Sequence, residues 1–184
     1  NANKIREDFA IIAPICSKKN YCFFKKKIPY KIKLTNLIQV DWVQGFAMLA
    51  NVSRLKKINF FDKNIFLYLE EIDLCKRLLK NNERILVSKN SQIMHLSAKS
   101  SSIGFEFDRC RNWHYMWSKF YFYRKHYSYF RGLKETASNL IKSLFKTFIY
   151  FLLNNLKYII YKNRLSGLLN SYLNKKSWDR PLLK

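Results

Sequence analysis

The stretch Phe61 to Arg77 constrains this chain more than any other. An apolar, aromatic run ending Phe66-Leu67-Tyr68-Leu69 delivers three carboxylates, Glu70, Glu71 and Asp73, within four positions. Directly afterwards the spacing becomes helical, with Leu74, Leu78 and Leu79 on one side and Lys76, Arg77 and Lys80 on the other. The pattern predicts a helix from about Glu70 to Asn81-Asn82, fed by a buried strand that presents the acids at a surface or cleft. The helix dipole favours each acid in a first turn by roughly 0.3–1 kcal/mol. On this stretch alone, capping and catalysis explain the acids equally well.

The rest of the first part reads as alternating strands and helices. Asp8 to Pro14 is a short buried strand stopped by proline, Lys18 to Lys27 is an exposed basic loop, and Ile28 to Val40 suits one or two edge strands. Asp41 to Ala50 is a turn leading into a strand. Gly45 interrupts it, which marks a simple bend, a bulge or a close approach of backbone to another group. Ser53 is placed to cap a short helix through Ile58. Arg84-Ile85-Leu86-Val87 and Gln92-Ile93-Met94-His95-Leu96 are two further strands. This order predicts a layered α/β domain over residues 1–105.

From Glu106 the character changes. Trp113 to Phe130 holds ten aromatics in eighteen residues, and helical stretches follow over roughly Leu133 to Tyr161 and Arg164 to Leu173. The net charge of +23 is uneven: Arg109 to Lys184 carries 16 Lys plus Arg against two acids, Glu135 and Asp179, or +14, leaving +9 for the longer first part. Such a balance favours anionic partners. The most apolar segment, Thr147 to Leu156, is ten residues long and contains Asn154 and Asn155, too short for the roughly 20 residues that a spanning helix needs. Residues 106–184 therefore read as a helical, basic, aromatic tail. An anionic membrane surface is the first partner it suggests, packing on the α/β domain the second, and nucleic acid the one not expected. The four cysteines (Cys16, Cys22, Cys75, Cys110) show no metal spacing and suit structural thiols in a reducing, cytoplasmic setting.

Three polar features stand in order: the Gly45 turn, the Glu70/Glu71/Asp73 acids, and His95 at a strand's end. The segments Val40-Asp41-Trp42-Val43-Gln44-Gly45-Phe46-Ala47-Met48-Leu49, Phe66 to Arg77, and Ile93-Met94-His95 with Ser100-Ser101 carry a resemblance to the family 2 glycosyltransferases. The likeness is to their rhamnosyltransferase-like branch, which builds bacterial surface polysaccharides, and the spacing agrees from Asp41 to Ser102. The resemblance implies the C-terminal part of a GT-A, Rossmann-like mixed sheet and inverting sugar transfer from a UDP- or dTDP-linked donor. The acceptor would be a glycan or a polyprenyl-diphosphate-linked glycan, on the inner face of the cell membrane. Gly45 would border the donor sugar and acceptor, with Asp41 and Trp42 beside it. Glu71 would be the general base, with Glu70 as the alternative, and Asp73 a structural acid. His95 would help to hold a Mg2+ or Mn2+ ion on the donor diphosphate.

Two departures accompany the likeness. Glu71 stands where the family has Asp, and its extra methylene shifts the carboxylate by about one bond length, a displacement of the size that costs around 10²-fold in rate. No Asp-x-Asp motif occurs in the chain, which opens on Asn1 rather than Met. The resemblance thus implies that the nucleotide-binding half precedes residue 1, and that this chain is a truncation, a remnant or one piece of a split protein. The alternative class is a non-catalytic basic module that binds membrane or nucleic acid, its acids serving as helix caps.

Overall fold

The computed structural model describes residues 9–16, 36–94 and 104–180. The chain divides into two compact units, Asn1–Asp62 with Glu70–Ser97, and Lys63–Leu69 with Ala98–Lys184. The first is α/β and the second is helical.

The first unit is built on a four-stranded mixed sheet of β1 (Ile11–Cys16), β2 (Leu37–Gln39), β3 (Leu49–Ala50) and β4 (Ile85–Ile93), in the order β2-β4-β1-β3. The central pair β1 and β4 is parallel, and the short edge strands β2 and β3 run antiparallel to their neighbours. Parallel strands are buried on both faces and read as continuous apolar runs, as Ile11-Ile12-Ala13 and Ile85-Leu86-Val87 do. Pro14 does not stop β1. It lies within the strand, where the register jumps from Pro14 opposite Ser88 to Ile15 opposite Gln92. A residue without an N–H suits such an irregularity. The same jump lets Ile85–Ile93 run as one strand where the sequence suggested two.

Helix α1 (Val52–Lys56) is capped by Asn51, whose side chain accepts from the Arg54 N–H at 3.3 Å, two positions before the expected Ser53. Helix α2 (Glu70–Lys80) begins and ends close to where the pattern placed it. Its apolar face, Leu74, Cys75 and Leu78, meets Ile11, Ala13, Ile85 and Val87 from the sheet and Val40, Val43 and Leu55 from the connections. The expected basic loop Lys18 to Lys27 and the expected edge strand from Ile28 to residue 35 fall outside the described residues.

The approach to α2 is not a buried strand. Phe61 to Leu69 is a run of bends and turns, with Tyr68 and Leu69 both left-handed at φ 66° and 67°. From Lys63 to Leu69 it belongs to the second unit. There Ser118 donates to the Leu67 carbonyl at 2.8 Å, Arg111 donates to the Tyr68 hydroxyl at 2.6 Å, and the Phe66 ring lies 4.9 Å from that of His114. These partners are side chains of a helix, so no sheet ladder is needed to hold the segment.

The second unit contains α3 (Phe105–His126), α4 (Tyr129–Leu152) and α5 (Lys157–Tyr172). Its α3 buries residues around its circumference, from Cys110 and Trp113 to Phe120 and Phe122, as a central helix must. Met116, Phe120 and Leu168 form a core against which Leu133, Leu140 and Tyr172 pack. Gly167 brings α5 onto α3: a Cβ there would lie 2.2 Å from the Trp113 carbonyl oxygen. The break between α4 and α5 falls at Asn154, left-handed at φ 49°, earlier than the expected break after Tyr161. No helix among the described residues is long and apolar enough to cross a membrane.

Candidate active site

In the first unit, the loop around Gly45 lies against the first turn of α2. Val43 is buried, and its backbone hydrogen-bonds the Cys75 thiol, anchoring the loop to the helix. Two residues on, Gly45 borders Glu71: a Cβ at Gly45 would stand 3.6 Å from Glu71 Cβ and 3.8 Å from Cγ. That is ordinary contact, so an added methyl would fit. The absence of a side chain leaves the stem of Glu71 uncovered on that side. Asp41 is exposed, while Trp42 is half-buried against the sheet core.

The two glutamates are electrostatically strained. Burial pushes the Glu71 carboxyl from 4.5 up to about 7, the neighbouring Glu70 charge adds to the rise, and the backbone N–H groups of Glu71 and Ile72 oppose it. Burial also raises Glu70, whose Oε2 is buried without a hydrogen-bond partner among the described residues. Asp73 differs. It is fully buried and takes a 2.8 Å ion pair from Arg77 Nε, and Arg77 Nη1 donates to the Ile58 carbonyl at 2.7 Å. Asp73 therefore ties α2 to the end of the α1 turn. Burial keeps the Cys75 thiol protonated, pushed up to about 11, and Cys75 and Cys110 are both unpaired.

Of the residues singled out in the sequence, the structure thus brings Gly45 and Glu71 together, with Glu70 adjacent. His95 and Ser100-Ser101 lie outside the described residues. Among the described residues no group of three ligating side chains forms at the Glu70–Glu71 pair.

Such a group does occur in the second unit, where ligand atoms of Cys110, His114 and Asp179 lie within 4.8 Å of one another. It is already occupied by protein. His114 Nε2 donates to the Asp179 carbonyl at 2.7 Å, and Nδ1 accepts from the Ser177 hydroxyl at 3.0 Å. The Asp179 carboxylate accepts from Arg109 at 3.1 and 3.3 Å. Burial and Asp179 push the Cys110 thiol up to about 11. With both ring nitrogens engaged and a guanidinium on the carboxylate, the cluster locks Ser177 to Arg180 onto α3. Sequence reading missed it because its members are spread over 70 positions with no ligand spacing.

The geometry thus defines a carboxylate pair at a helix start beneath a glycine loop, in a mixed α/β unit with a helical tail. This chain is similar to Rhamnosyltransferase WbbL of Escherichia coli (strain K12), at 43% identity over 54 residues. The match covers 29% of this chain and 20% of that protein, so it spans about a fifth of the relative's length. No protein-family model matches the chain. No solved structure matches it either.

Proposed function

We propose that this chain carries the base-bearing, acceptor-side part of an inverting glycosyltransferase. It would move a sugar from a UDP- or dTDP-linked donor to a glycan or polyprenyl-diphosphate-linked acceptor in surface-polysaccharide synthesis. The observation that supports this best is the carboxyl of Glu71, raised to about 7 beside the uncovered Gly45. The partial likeness to a rhamnosyltransferase points the same way. A general base works best when its pKa lies near the operating pH, and burial beside a second carboxylate supplies that tuning here.

In the proposed step an ionised Glu71 oxygen takes the proton of an acceptor hydroxyl lodged against Gly45. The hydroxyl oxygen then forms its bond to the anomeric carbon from the face opposite the leaving group. The carbon–oxygen bond to the nucleoside diphosphate breaks, and the electron pair leaves with the diphosphate. Glu71 returns its proton to solvent, and burial, with Glu70 held beside it, keeps its pKa high between turnovers. A bound Mg2+ or Mn2+ would supply Lewis-acid stabilisation of the diphosphate. The GT-A assignment of the sheet belongs to this proposal as well.

Transfer of radiolabelled sugar from nucleotide donors to membrane lipid extracts, by the protein expressed from its own gene, tests the reading. Glu71→Gln is expected to lower the rate by about 10²–10⁴-fold, the usual weight of general-base catalysis. Undiminished transfer by that variant would show the base assignment to be wrong.

A further inference from the structure

Helix α4 is turned inside out relative to a helix of a closed bundle. At 100° per residue its sequence divides into two arcs. The arc that packs within the second unit fully buries only small or polar residues, Gly132, Thr136 and Ser143, with Leu133 and Leu140 half-buried on the core beside them. Thr136 is satisfied there by the Gly132 carbonyl at 2.7 Å and the Tyr172 hydroxyl at 2.8 Å. The other arc, about 120° wide, carries Ile141, Leu144, Phe145, Phe148, Phe151 and Leu152, each between 50% and 66% exposed. Folding has placed the largest apolar side chains of this helix in solvent, a contiguous stripe of the kind that marks an interaction surface.

The margin of the stripe is cationic and aromatic. Lys142 and Lys146 lie along one side of it on α4, and Lys157 and Lys162 stand exposed on α5. Tyr150 and Tyr161 stack at 5.5 Å between the two helices, Lys146 donates to the Tyr161 hydroxyl at 3.1 Å, and Lys157 lies 6.0 Å from the Tyr150 ring centre. No acidic residue occurs between Glu135 and Asp179. A tyrosine has an apolar body and a polar tip, and a lysine beside it seeks phosphate. The pair suits the boundary between lipid chains and headgroups.

We infer that the α4 stripe is a monotopic docking surface for an anionic bilayer, lying in the interface plane with its Phe and Leu side chains in the acyl boundary and the bordering lysines on lipid phosphates. Charge decides between occupants. A second copy would bring another all-cationic margin against the first, whereas an anionic leaflet complements it. The helix lies on the bilayer and does not cross it, since no described helix meets the length and apolarity of a span. This inference is independent of the catalytic reading, and its test uses no sugar donor.

Flotation of the full chain with vesicles provides that test, comparing mixed phosphatidylglycerol–phosphatidylcholine with pure phosphatidylcholine. The chain is expected to float with the anionic vesicles and to be released by salt. The double change Phe145→Ser and Phe148→Ser should weaken binding by about 100-fold, roughly tenfold per buried phenyl group. Lys142→Gln with Lys146→Gln should weaken it by about fivefold per lysine on anionic vesicles only. All four positions are exposed, and unchanged helical circular dichroism checks the fold of each variant. Wild-type chain that fails to float with anionic vesicles overturns the inference. So does a dimer by light scattering that the phenylalanine changes dissolve while vesicle binding stays intact.

Discussion

Replacing Glu71 by Gln is expected to make the first unit more stable above neutral pH while disabling the step proposed for it. A carboxyl moved from 4.5 to about 7 represents about 3 kcal/mol of disfavoured ionisation at 1.36 kcal/mol per pH unit. The side chain is half-buried, so solvent screens part of this, and about 1–2 kcal/mol is the expected effect. The sign follows from proton counting. Between pH 4.5 and about 7 the folded state holds a proton on Glu71 that the unfolded chain has released, so stability is full at the acid end and is lost as pH rises through that window. Gln keeps the volume and lacks the charge. The variant should match wild type near pH 4 and exceed it by about 1–2 kcal/mol at pH 8.

Hydrogen exchange of the Ile85 to Val87 amides reports the first unit separately from the helical one. Exchange free energies measured in wild type and variant across this pH range give the difference directly. Equal stability at pH 8, or a gain of the same size at pH 4, would refute the assignment of a buried, neutral-poised carboxyl. A gain in stability coupled to a loss in transfer is the signature of a group held in an unfavourable state for chemistry.

Three further outcomes follow from the packing. Asp73→Ala leaves the Arg77 guanidinium without its buried partner and should cost about 3 kcal/mol in urea denaturation, where a loss below half of that would show the pair to be dispensable. Gly167→Ala drives a methyl to within 2.2 Å of the Trp113 carbonyl, so α5 and α3 must part, at a cost of about 1–3 kcal/mol read as a lowered Tm of the second unit. Burial holds the His114 pKa below its ordinary 6.5, so the unfolded chain gains a proton first on acidification. Stability of the second unit, followed by Trp113 and Trp117 fluorescence, is complete above pH 6.5 and should fall as pH drops below it.

How much of this was legible depends on the range of the interactions involved. The limits of α2 and the presence, though not the ends, of the central strands were readable because their signals are local: a 3.6-residue period with acids in the first turn, and short β-branched runs. The pairing of Gly45 with Glu71 was anticipated through the resemblance, while the raised carboxyl needs burial that no linear pattern encodes. Phe61 to Leu69 misled because its partners, Arg111, His114 and Ser118, lie more than 40 positions away on a helix. The Cys110–His114–Asp179 cluster escaped notice for the same reason. Asn51 in place of Ser53 as a cap is a shift of the size at which helix ends are ordinarily uncertain.

Helix α4 shows a limit of a different kind. An apolar stripe at helical period has one sequence signature whether it faces a protein core or a lipid surface, so Ile141, Phe145, Phe148 and Leu152 alone decide nothing. The informative residues are those on the opposite arc. Gly132, Thr136 and Ser143 are too small and too polar to build a core by hydrophobic burial, yet they are the ones α4 fully buries. A small-residue arc allows close backbone approach, and its hydroxyls satisfy themselves on neighbouring carbonyls, as Thr136 does on Gly132. Once that arc is committed inward, the phenylalanines must face out, because a helix cannot bury both sides against a single neighbouring layer. The charge pattern then selects the occupant: the lysines border the apolar arc along one side and leave its centre uncharged, as contact with an anionic leaflet requires.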